Sequence, residues 1–400
     1  MKILVLTPIY PSLDKDKGGT KVIHYFVKEW VKKGHEVYVI HNKAIYHDVF
    51  YKIPNFIIKK VENKLGSPII NVKLSDLDYI YEGIPVSRIP IKKIIPHGDF
   101  SKREINNQFD KIKNKLVEVN FKPDIVIGHW ESPQIQLVSL LKDFYNIKSA
   151  IILHLYYKSY ILKNNKKNEY VDYLKNIDVI GFRSKFLRDK FLENFWTPKK
   201  SFICYSGVPI DDKIDYYKNV KSQFKNIIYV GLLVQRKYPD VLLDALIEYN
   251  KSNKEKLNLN FIGEGNLKNK LNKKISNSNL EKFIKMKGRL ARKDVFLEMQ
   301  KADCLVMISK NEAFGLVYLE AMLNGCIVVA SKNEGMDGII ENGINGFLCN
   351  SGNKKELLET FNLINNLSAD QREVISKKAI ETALRFTEEN VSENYLKSIV

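Results

Sequence analysis

Strand-length apolar runs alternate with helical patterns along most of this chain. Lys2 to Thr7 and Glu36 to His41 are predicted to be buried strands. The apolar positions that recur at helical spacing between these runs are Val22, Ile23, Phe26, Val27, Trp30 and Val31. Gly34 follows the last turn, as is typical of a helix end. A strand, a loop, a helix and a strand in this order predict the start of a parallel sheet covered by helices.

The rest of the chain repeats this plan in two halves. The further strands predicted in the first half are 123–130, 149–154, 178–184 and 202–208. Those predicted in the second half are 226–232, 258–262, 284–287, 304–308 and 326–330. Residues 44–120 are less regular, although a helix is predicted from Ile105 to Leu116, and the tail from Ala369 to Val400 is helical and charged. We therefore predict an α/β fold with two Rossmann-like domains facing across a cleft, at 1–208 and 209–385, and a helical tail at 386–400.

The stretch from Asn311 to Met322 joins a predicted strand to a predicted helix, which Gly325 ends. Glu312 is therefore expected near the carboxyl end of a strand. The N–H groups of residues 314–317 are expected at a helix N-terminus, where phosphate binds readily. Glu320 follows about a turn and a half later, so two carboxylates could hold two hydroxyl-bearing parts of one ligand. On spacing alone, the alternative is a solvated loop glutamate and a surface helix glutamate.

Seven residues separate Glu312 from Glu320, with Phe314-Gly315 between them and Ala321 after the second glutamate. This pattern resembles the signature of the retaining GT-B glycosyltransferases of family 4, the glycosyl transferases group 1. The resemblance implies an N-terminal domain that binds the acceptor, a C-terminal domain that binds a nucleotide sugar, and a tail that packs back on the N-terminal domain. It implies retaining transfer of a sugar, expected to be a hexose, from a UDP- or GDP-linked donor to a glycan. The acceptor is expected to be lipid-linked and the product to be a cell-surface polysaccharide or glycoconjugate.

The resemblance also implies a role for each matching residue. Glu312 is expected to contact hydroxyls of the transferred sugar as a catalytic residue, and Glu320 to bind the ribose. The other donor-binding positions implied are Gly18 and Gly19 in a glycine-rich loop, Gly288, Arg289 and Leu290 beside the base, and Phe314, Gly315, Leu316 and Val317 around the phosphates.

A cation is needed where negative charge grows on the departing diphosphate. Lys237 matches the family's catalytic lysine in the loop after a strand, together with Gly231 and Arg236. The family's arginine after the glycine is Leu232 here. Either Arg236 reaches in to replace that arginine, or Lys237 and helix N–H groups hold the diphosphate alone.

Two histidines close predicted strands of the first half, where open α/β sheets bind ligands. His154 matches the family position that approaches the transferred sugar and is expected to be catalytic. His129 and Trp130 are expected on the acceptor side. Two segments depart from the family pattern: Ser206 stands where asparagine is usual, and residues 333–338 replace a Gly-Gly…Pro-Glu loop.

The chain carries 64 basic and 46 acidic residues, a formal net charge of +18. This excess indicates an anionic lipid, nucleic acid or phosphorylated partner, or a lysine-rich solubilising surface. Lys52 to Leu65 fits either a basic amphipathic helix on an anionic membrane surface or an ordinary surface helix. No apolar run approaches the ~18 residues that span a membrane, and the first strand is too short for a signal peptide. A cytoplasmic protein is therefore expected, with docking on the inner face of the cell membrane as a hypothesis. No nucleic-acid-binding motif supports that partner.

We expect neither a metal nor a cofactor. Asp76-Leu77-Asp78 has the Asp-x-Asp spacing of metal-dependent glycosyltransferases, but it lies in the irregular region rather than after a nucleotide-binding strand. The four cysteines form no Cys-x-x-Cys pair and are expected to be buried and reduced. Two alternatives remain beside the transferase: a nucleotide-sugar epimerase of the same fold, and a non-catalytic partner subunit, which Leu232 favours.

Overall fold

The computed structural model describes residues 1–12, 21–46, 48–54, 56–58, 74–93, 99–154 and 167–400. They form two compact units. The first contains Met1–Arg183, Leu187–Gly207 and Glu388–Val400, and the second contains Ser184–Phe186 and Val208–Thr387. Each unit has its own parallel sheet and helices, so the predicted α/β architecture with two Rossmann-like parts is confirmed.

The strands of the first unit are β1 (Lys2–Thr7), β2 (Glu36–His41), β3 (Ala44–Ile45), β4 (Leu77–Tyr81), β5 (Ile84–Arg88), β6 (Ile91–Lys92), β7 (Ile125–His129), β8 (Lys148–Leu153), β9 (Val179–Phe182) and β10 (Ser201–Ile203). Eight of these described strands form one sheet in the order β10-β9-β8-β7-β1-β2-β5-β4. Its strands are parallel except for the β4–β5 hairpin. The chain leaves β1 on one side and returns at β7 on the other, which makes the carboxyl ends of these two strands a topological switch point.

The β4–β5 hairpin lies in the segment where the sequence predicted no strand. Glu82 and Gly83 form its two-residue turn with φ angles of 47° and 83°, as a hairpin turn of the primed type requires. The alternation of exposed and half-buried residues along β4 is that of a strand at the edge of a sheet. Asp78 therefore lies on an edge strand and not in an irregular loop, which corrects the prediction.

The strands of the second unit are β11 (Asn226–Val230), β12 (Asn258–Ile262), β13 (Ile284–Gly288), β14 (Cys304–Val306), β15 (Ile327–Ser331) and β16 (Phe347–Cys349). They form a parallel sheet in the order β13-β12-β11-β14-β15-β16. The five strands predicted here are confirmed, while β16 was not predicted. The switch point of this sheet lies between β11 and β14.

The α-helices of the described residues are α1 (Val22–Lys32), α2 (Lys102–Glu118), α3 (Gln134–Tyr145), α4 (Lys167–Asn176), α5 (Lys185–Asn194), α6 (Pro239–Ser252), α7 (Lys268–Ser276), α8 (Arg292–Lys301), α9 (Leu316–Leu323), α10 (Lys354–Asn366), α11 (Ala369–Arg385) and α12 (Glu388–Ile399). The predicted helical tail is thus two helices. The second of them, α12, packs against α1, where Trp30 Nε1 donates a 3.1 Å hydrogen bond to the Ser392 carbonyl.

Three further predictions concern surfaces and burial. All four cysteines are free and buried, as expected. In the described parts of the chain, no helix is long and apolar enough to cross a membrane. Most of the predicted helix from Lys52 to Leu65 lies outside the described residues. Within its described part, Phe56 is 72% exposed and Ile58 is buried.

Candidate active site

Two loops meet at the switch point of the second unit. Gly231 and a short 3-10 turn, Gln235–Lys237, follow β11, and Glu312 follows β14. Because β11 and β14 are hydrogen-bonded neighbours, these loops leave the sheet side by side. The Lys310 N–H donates to the Arg236 carbonyl at 2.7 Å and ties the loops together. The sheet topology therefore brings Lys237 and Glu312 together across 75 residues of sequence.

Lys237 and Glu312 form an ion pair at this point. The Lys237 Nζ lies 2.9 Å from Glu312 Oε2, and the two side chains are only 12% and 17% exposed. Arg236 Nη1 lies 3.9 Å from the same oxygen and is more exposed. A Cβ on Gly231 would lie 3.7 Å from Lys237 Nζ and 3.2 Å from Met307 Sδ, so a glycine leaves room for the lysine.

Leu232, which stands where the family has arginine, is 49% exposed. Its carbonyl accepts a 2.7 Å hydrogen bond from the Tyr229 hydroxyl. Its apolar side chain brings no charge to the site, whereas Arg236 brings a guanidinium near Glu312. The structure therefore places the charge of Arg236, and not the side chain of Leu232, beside Glu312.

The backbone of the Glu312 loop is hydrogen-bonded to Glu334, a residue for which the sequence predicted no role. One carboxylate oxygen of Glu334 accepts the Asn311 N–H at 3.0 Å, and the other accepts the Glu312 N–H at 2.7 Å. Asn311 has a φ of 57°, so its backbone is in the left-handed region. Gly335 donates its N–H to the Glu312 carbonyl at 2.9 Å. The only feature of the sequence that drew attention to this segment is that residues 333–338 depart from the family loop.

The helix α9 begins directly after this loop. Gly315 adopts a φ of 86°, and a Cβ there would lie 2.5 Å from the Tyr318 ring. The first N–H groups of a helix have no acceptor within it and carry partial positive charge. Those of Leu316 and Val317 open α9 as predicted, next to buried Phe314. The helix end is therefore suited to bind phosphate.

Glu320 lies one turn into α9 and pairs with Arg292. Arg292 Nη2 is 2.7 Å from Glu320 Oε1, and the glutamate side chain is 14% exposed. Burial raises the pKa of Glu320, and the Arg292 charge opposes that rise. Arg292, which opens α8, was not predicted as part of the site because no local pattern links it to a residue 28 positions away.

Gly288, Arg289 and Leu290 lie at the same carboxyl edge of the sheet, at the end of β13. Gly288 has a φ of 68°, and its carbonyl accepts the Gly263 N–H at 2.8 Å. A Cβ on Gly263 would lie 1.9 Å from the Gly231 carbonyl oxygen, so the loops after β11 and β12 touch through backbone. Arg289 is exposed and Leu290 is half-buried.

In the first unit, His129 and Trp130 at the end of β7 meet His154 at the end of β8. The Trp130 ring stacks on His154 with 3.9 Å between centroids and 13° between planes. His129 Nδ1 lies 3.3 Å from His154 Nε2. His129 is fully buried, so its side chain presents no surface to an acceptor. The neighbours that the sequence did not predict are Glu131, which accepts the His154 N–H at 2.9 Å, and Tyr395, which contacts His129.

Two further predictions concern the glycine-rich loop and the Asp-x-Asp segment. Gly18 and Gly19 lie outside the described residues. Asp78 accepts a hydrogen bond from Ser87 and pairs with Lys115 at 3.0 Å. Over the described ranges, no group of three or more His, Cys, Asp or Glu residues could hold a metal ion. Metal independence itself stays a prediction.

Comparison with known proteins relates this chain to glycosyltransferases. Residues 212–382 match the family model of the glycosyl transferases group 1. An uncharacterized glycosyltransferase of Methanocaldococcus jannaschii, MJ1178, is 30% identical over 269 residues, which cover 66% of this chain and 71% of that protein. The crystal structure of Anabaena Alr3699/HepE in complex with UDP aligns with a TM-score of 0.66 at 16% identity, covering 100% of this chain and 99% of HepE. The lipopolysaccharide outer core galactosyltransferase WaaB aligns with a TM-score of 0.67 at 15% identity and the same coverage.

The chain belongs to the glycosyl transferases group 1 family. It is a glycosyltransferase, and its fold is that of the GT-B enzymes HepE and WaaB. The predicted membership of the glycosyl transferases group 1 is therefore confirmed, whereas family 4 and the retaining mechanism stay predictions. The residues assigned to the site stay predictions.

Proposed function

We propose that this glycosyl transferase moves a hexose from a UDP- or GDP-linked donor to a glycan acceptor, with retention of anomeric configuration and without a metal or cofactor. The observation that carries this proposal is the Lys237–Glu312 pair beside the N-terminus of α9. It joins a cation, a carboxylate and a phosphate-binding helix end at one edge of one sheet. These are the groups that recognise the diphosphate and the hydroxyls of a nucleotide sugar.

The chemistry follows from where charge develops. As the bond to the sugar breaks, negative charge grows on the departing diphosphate, and Lys237, Arg236 and the N–H groups of α9 stabilise it. Lys237 then exchanges its 2.9 Å contact with Glu312 for a phosphate oxygen. The released Glu312 carboxylate accepts hydrogen bonds from sugar hydroxyls. Retention is expected by attack on the face that the diphosphate leaves, with a phosphate oxygen accepting the proton of the acceptor hydroxyl.

The nucleoside is assigned to the neighbouring carboxylate. Glu320 accepts hydrogen bonds from the ribose hydroxyls after exchanging its contact with Arg292. Gly288, Arg289 and Leu290 border the base. HepE has been crystallised with UDP and with UDP-glucose, which supports UDP-glucose as the first donor to test. A lipid-linked acceptor at an anionic membrane surface is part of the proposal, supported by the net charge of +18.

The experiment combines a ligand screen with two variants. Purified protein is screened by thermal shift against UDP, GDP, ADP and their sugars, since a ligand that binds only the folded state raises the midpoint. Sugar release from the stabilising donor is then measured for Glu312→Gln and Glu320→Gln. We expect Glu312→Gln to lose most turnover while still binding the free nucleotide, and Glu320→Gln mainly to weaken nucleotide binding. The control is Glu248→Gln, which removes an exposed partner of Lys354.

Each outcome assigns the function. Turnover of both site variants within twofold of the control would contradict the site. Stabilisation by nucleotides with no turnover of any donor, alone or with glycan acceptors, would favour the non-catalytic subunit, in line with Leu232. Interconversion of free nucleotide sugars without transfer would favour the epimerase.

A further inference from the structure

A line of hydrogen bonds runs from the C-terminal helix of the first unit to His154. The Tyr395 hydroxyl on α12 lies 3.1 Å from His129 Nε2, and His129 Nδ1 lies 3.3 Å from His154 Nε2. All three side chains are at least nine-tenths buried. The line therefore passes through the interior and reaches the surface only at His154.

Both histidines are neutral near neutral pH. Burial lowers the pKa of each, and the charge of buried Arg183 lowers both further. Arg183 is itself fixed by donating hydrogen bonds to Ser206 Oγ and Cys204 Sγ. A neutral imidazole has one N–H donor and one acceptor nitrogen. The direction of one hydrogen bond in the line therefore determines the direction of the next.

Tyr395 fixes that direction. Burial raises its pKa, so the hydroxyl keeps its proton. His129 Nε2 is the one acceptor that the described structure places against this hydroxyl. Tyr395 therefore donates to Nε2, and His129 carries its own proton on Nδ1. That proton is donated to His154 Nε2, so His154 carries its proton on Nδ1.

The His154 ring is held in place as well as in one tautomer. Trp130 covers one face of the ring, and Glu131 accepts the His154 backbone N–H. Among the groups described, none accepts a hydrogen bond from His154 Nδ1. That N–H is left as a donor for a ligand.

We propose that Tyr395 is a positioning residue that acts through His129 to hold His154 in the Nδ1–H tautomer, so that His154 presents a hydrogen-bond donor to an oxygen of a sugar substrate. The use of this donor rests on the proposed function, whereas the tautomer does not. The tautomer can therefore be tested in protein without substrate.

The first measurement is the ¹⁵N NMR shift pattern of the histidine rings in the full-length protein, since a protonated and a bare ring nitrogen differ clearly. Signals are assigned by their loss in His129→Asn and His154→Asn. We expect both histidines to be neutral, with the proton on Nδ1. A proton on Nε2 of His154 in the unsubstituted protein overturns the proposal, whatever the variants do.

The second measurement uses Tyr395→Phe, which keeps the ring that packs against Phe26 and Trp30 and removes only the hydroxyl. We expect His154 to populate both tautomers and kcat to fall roughly fivefold, the size of one neutral hydrogen bond, with the donor KM unchanged. The control is Tyr38→Phe, which removes another buried hydroxyl, bonded to Ser87 at 2.6 Å. It should change neither the tautomer nor kcat.

The two hypotheses fail separately. If the NMR pattern is as expected but the protein transfers no sugar, the proposed function fails, while the positioning of His154 by Tyr395 and His129 is still supported. If sugar is transferred but Tyr395→Phe alters neither the tautomer of His154 nor kcat relative to Tyr38→Phe, the positioning role of Tyr395 is wrong.

Discussion

Glu334 offers the sharpest test of how the second unit positions its site. Its carboxylate accepts the N–H groups of Asn311 and Glu312, and the residue is 7% exposed. Glu334→Gln keeps the shape of the side chain, but the amide has only one oxygen. One of the two N–H groups must then face an NH₂ group and lose its acceptor.

The expected magnitude follows from these contacts. A hydrogen bond to a charged group contributes about 1.5–3 kcal/mol. Burial raises the pKa of Glu334, which shows that the charged form is costly there, so removing the charge recovers part of the loss. We expect a net destabilisation of about 2 kcal/mol, or about 4–8 °C in the Tm of a unit of this size. Asn311 holds a left-handed backbone conformation that non-glycine residues adopt uncommonly, so the lost bond is one of the contacts that keep the loop in this conformation.

The substitution should lower turnover as well as stability. The same two hydrogen bonds hold the backbone of Glu312, and a displacement of 1 Å at a reacting group can cost about 100-fold in rate. We therefore expect kcat for Glu334→Gln to fall about 10- to 100-fold. Glucose release from UDP-glucose, or from the donor that the thermal-shift screen identifies, provides the assay.

Glu356→Gln is the matched control. The Glu356 carboxylate accepts both the backbone N–H and the side-chain amide of Asn350 at 2.6 Å, in the same unit, and these bonds involve neither Lys237 nor Glu312. It should lose stability and keep its turnover. If Glu334→Gln turns over within twofold of Glu356→Gln, the hydrogen bonds to the Glu312 loop do not position the site, and the reasoning is refuted.

Three further predictions concern conditions and surfaces. If Lys237 and the end of α9 supply the charge that a metal would otherwise supply, EDTA should leave sugar transfer within twofold; complete loss restored by Mn²⁺ or Mg²⁺ would contradict this. Burial depresses the pKa of His129 and His154 below the ordinary 6.5, so the unfolded state binds more protons as the pH falls below that value, and each histidine should cost about 1.4 kcal/mol of stability per pH unit there. In denaturant unfolding, the free energy of unfolding should therefore fall less between about pH 7.5 and about pH 5.5 for the double variant His129→Asn/His154→Asn than for the unsubstituted protein. An equal fall would show that burial does not depress the pKa of these histidines. The protein should sediment with anionic vesicles at low salt and be released as salt rises, since each lysine near such a surface contributes about 1 kcal/mol. The changes that should weaken this binding without unfolding the protein are Lys52→Glu, Lys59→Glu, Lys60→Glu and Lys64→Glu, and equal binding of that variant would assign the stretch to an ordinary surface.

The sequence predicted what depends on local pattern. Apolar runs followed by helical spacing predicted the strands of both sheets except β4, β5 and β16. The parallel topology then placed the Lys237 and Glu312 loops at neighbouring strand ends. Gly325 marked the end of α9, where the backbone has a positive φ that favours glycine. These signals lie within a few residues of the feature that they predict.

What the sequence did not predict depends on contacts between distant segments. Glu334 reaches Glu312 across 22 residues, and Tyr395 reaches His129 across 266. No periodicity links such pairs, and each residue is of a type usually found at the surface or in an ordinary core. The β4–β5 hairpin was missed for a different reason: its edge strand is only half-buried, so its apolar pattern is weak.

The paired state of the two carboxylates decides how a donor would enter. Glu312 is bound to Lys237 and Glu320 to Arg292, so each negative charge that would repel a diphosphate is already neutralised. A donor whose phosphates bind Lys237 and whose sugar hydroxyls donate to Glu312 would replace the Lys237–Glu312 contact by one contact to each side chain. The Glu312 carboxylate would then not be left buried without a partner. A free diphosphate lacks the sugar hydroxyls, so it would take the lysine and leave Glu312 with Arg236 alone at 3.9 Å. Under the proposed function, this arrangement would favour the intact donor over the leaving group, and the charge of Arg236 would limit the cost to Glu312 once the sugar has been transferred.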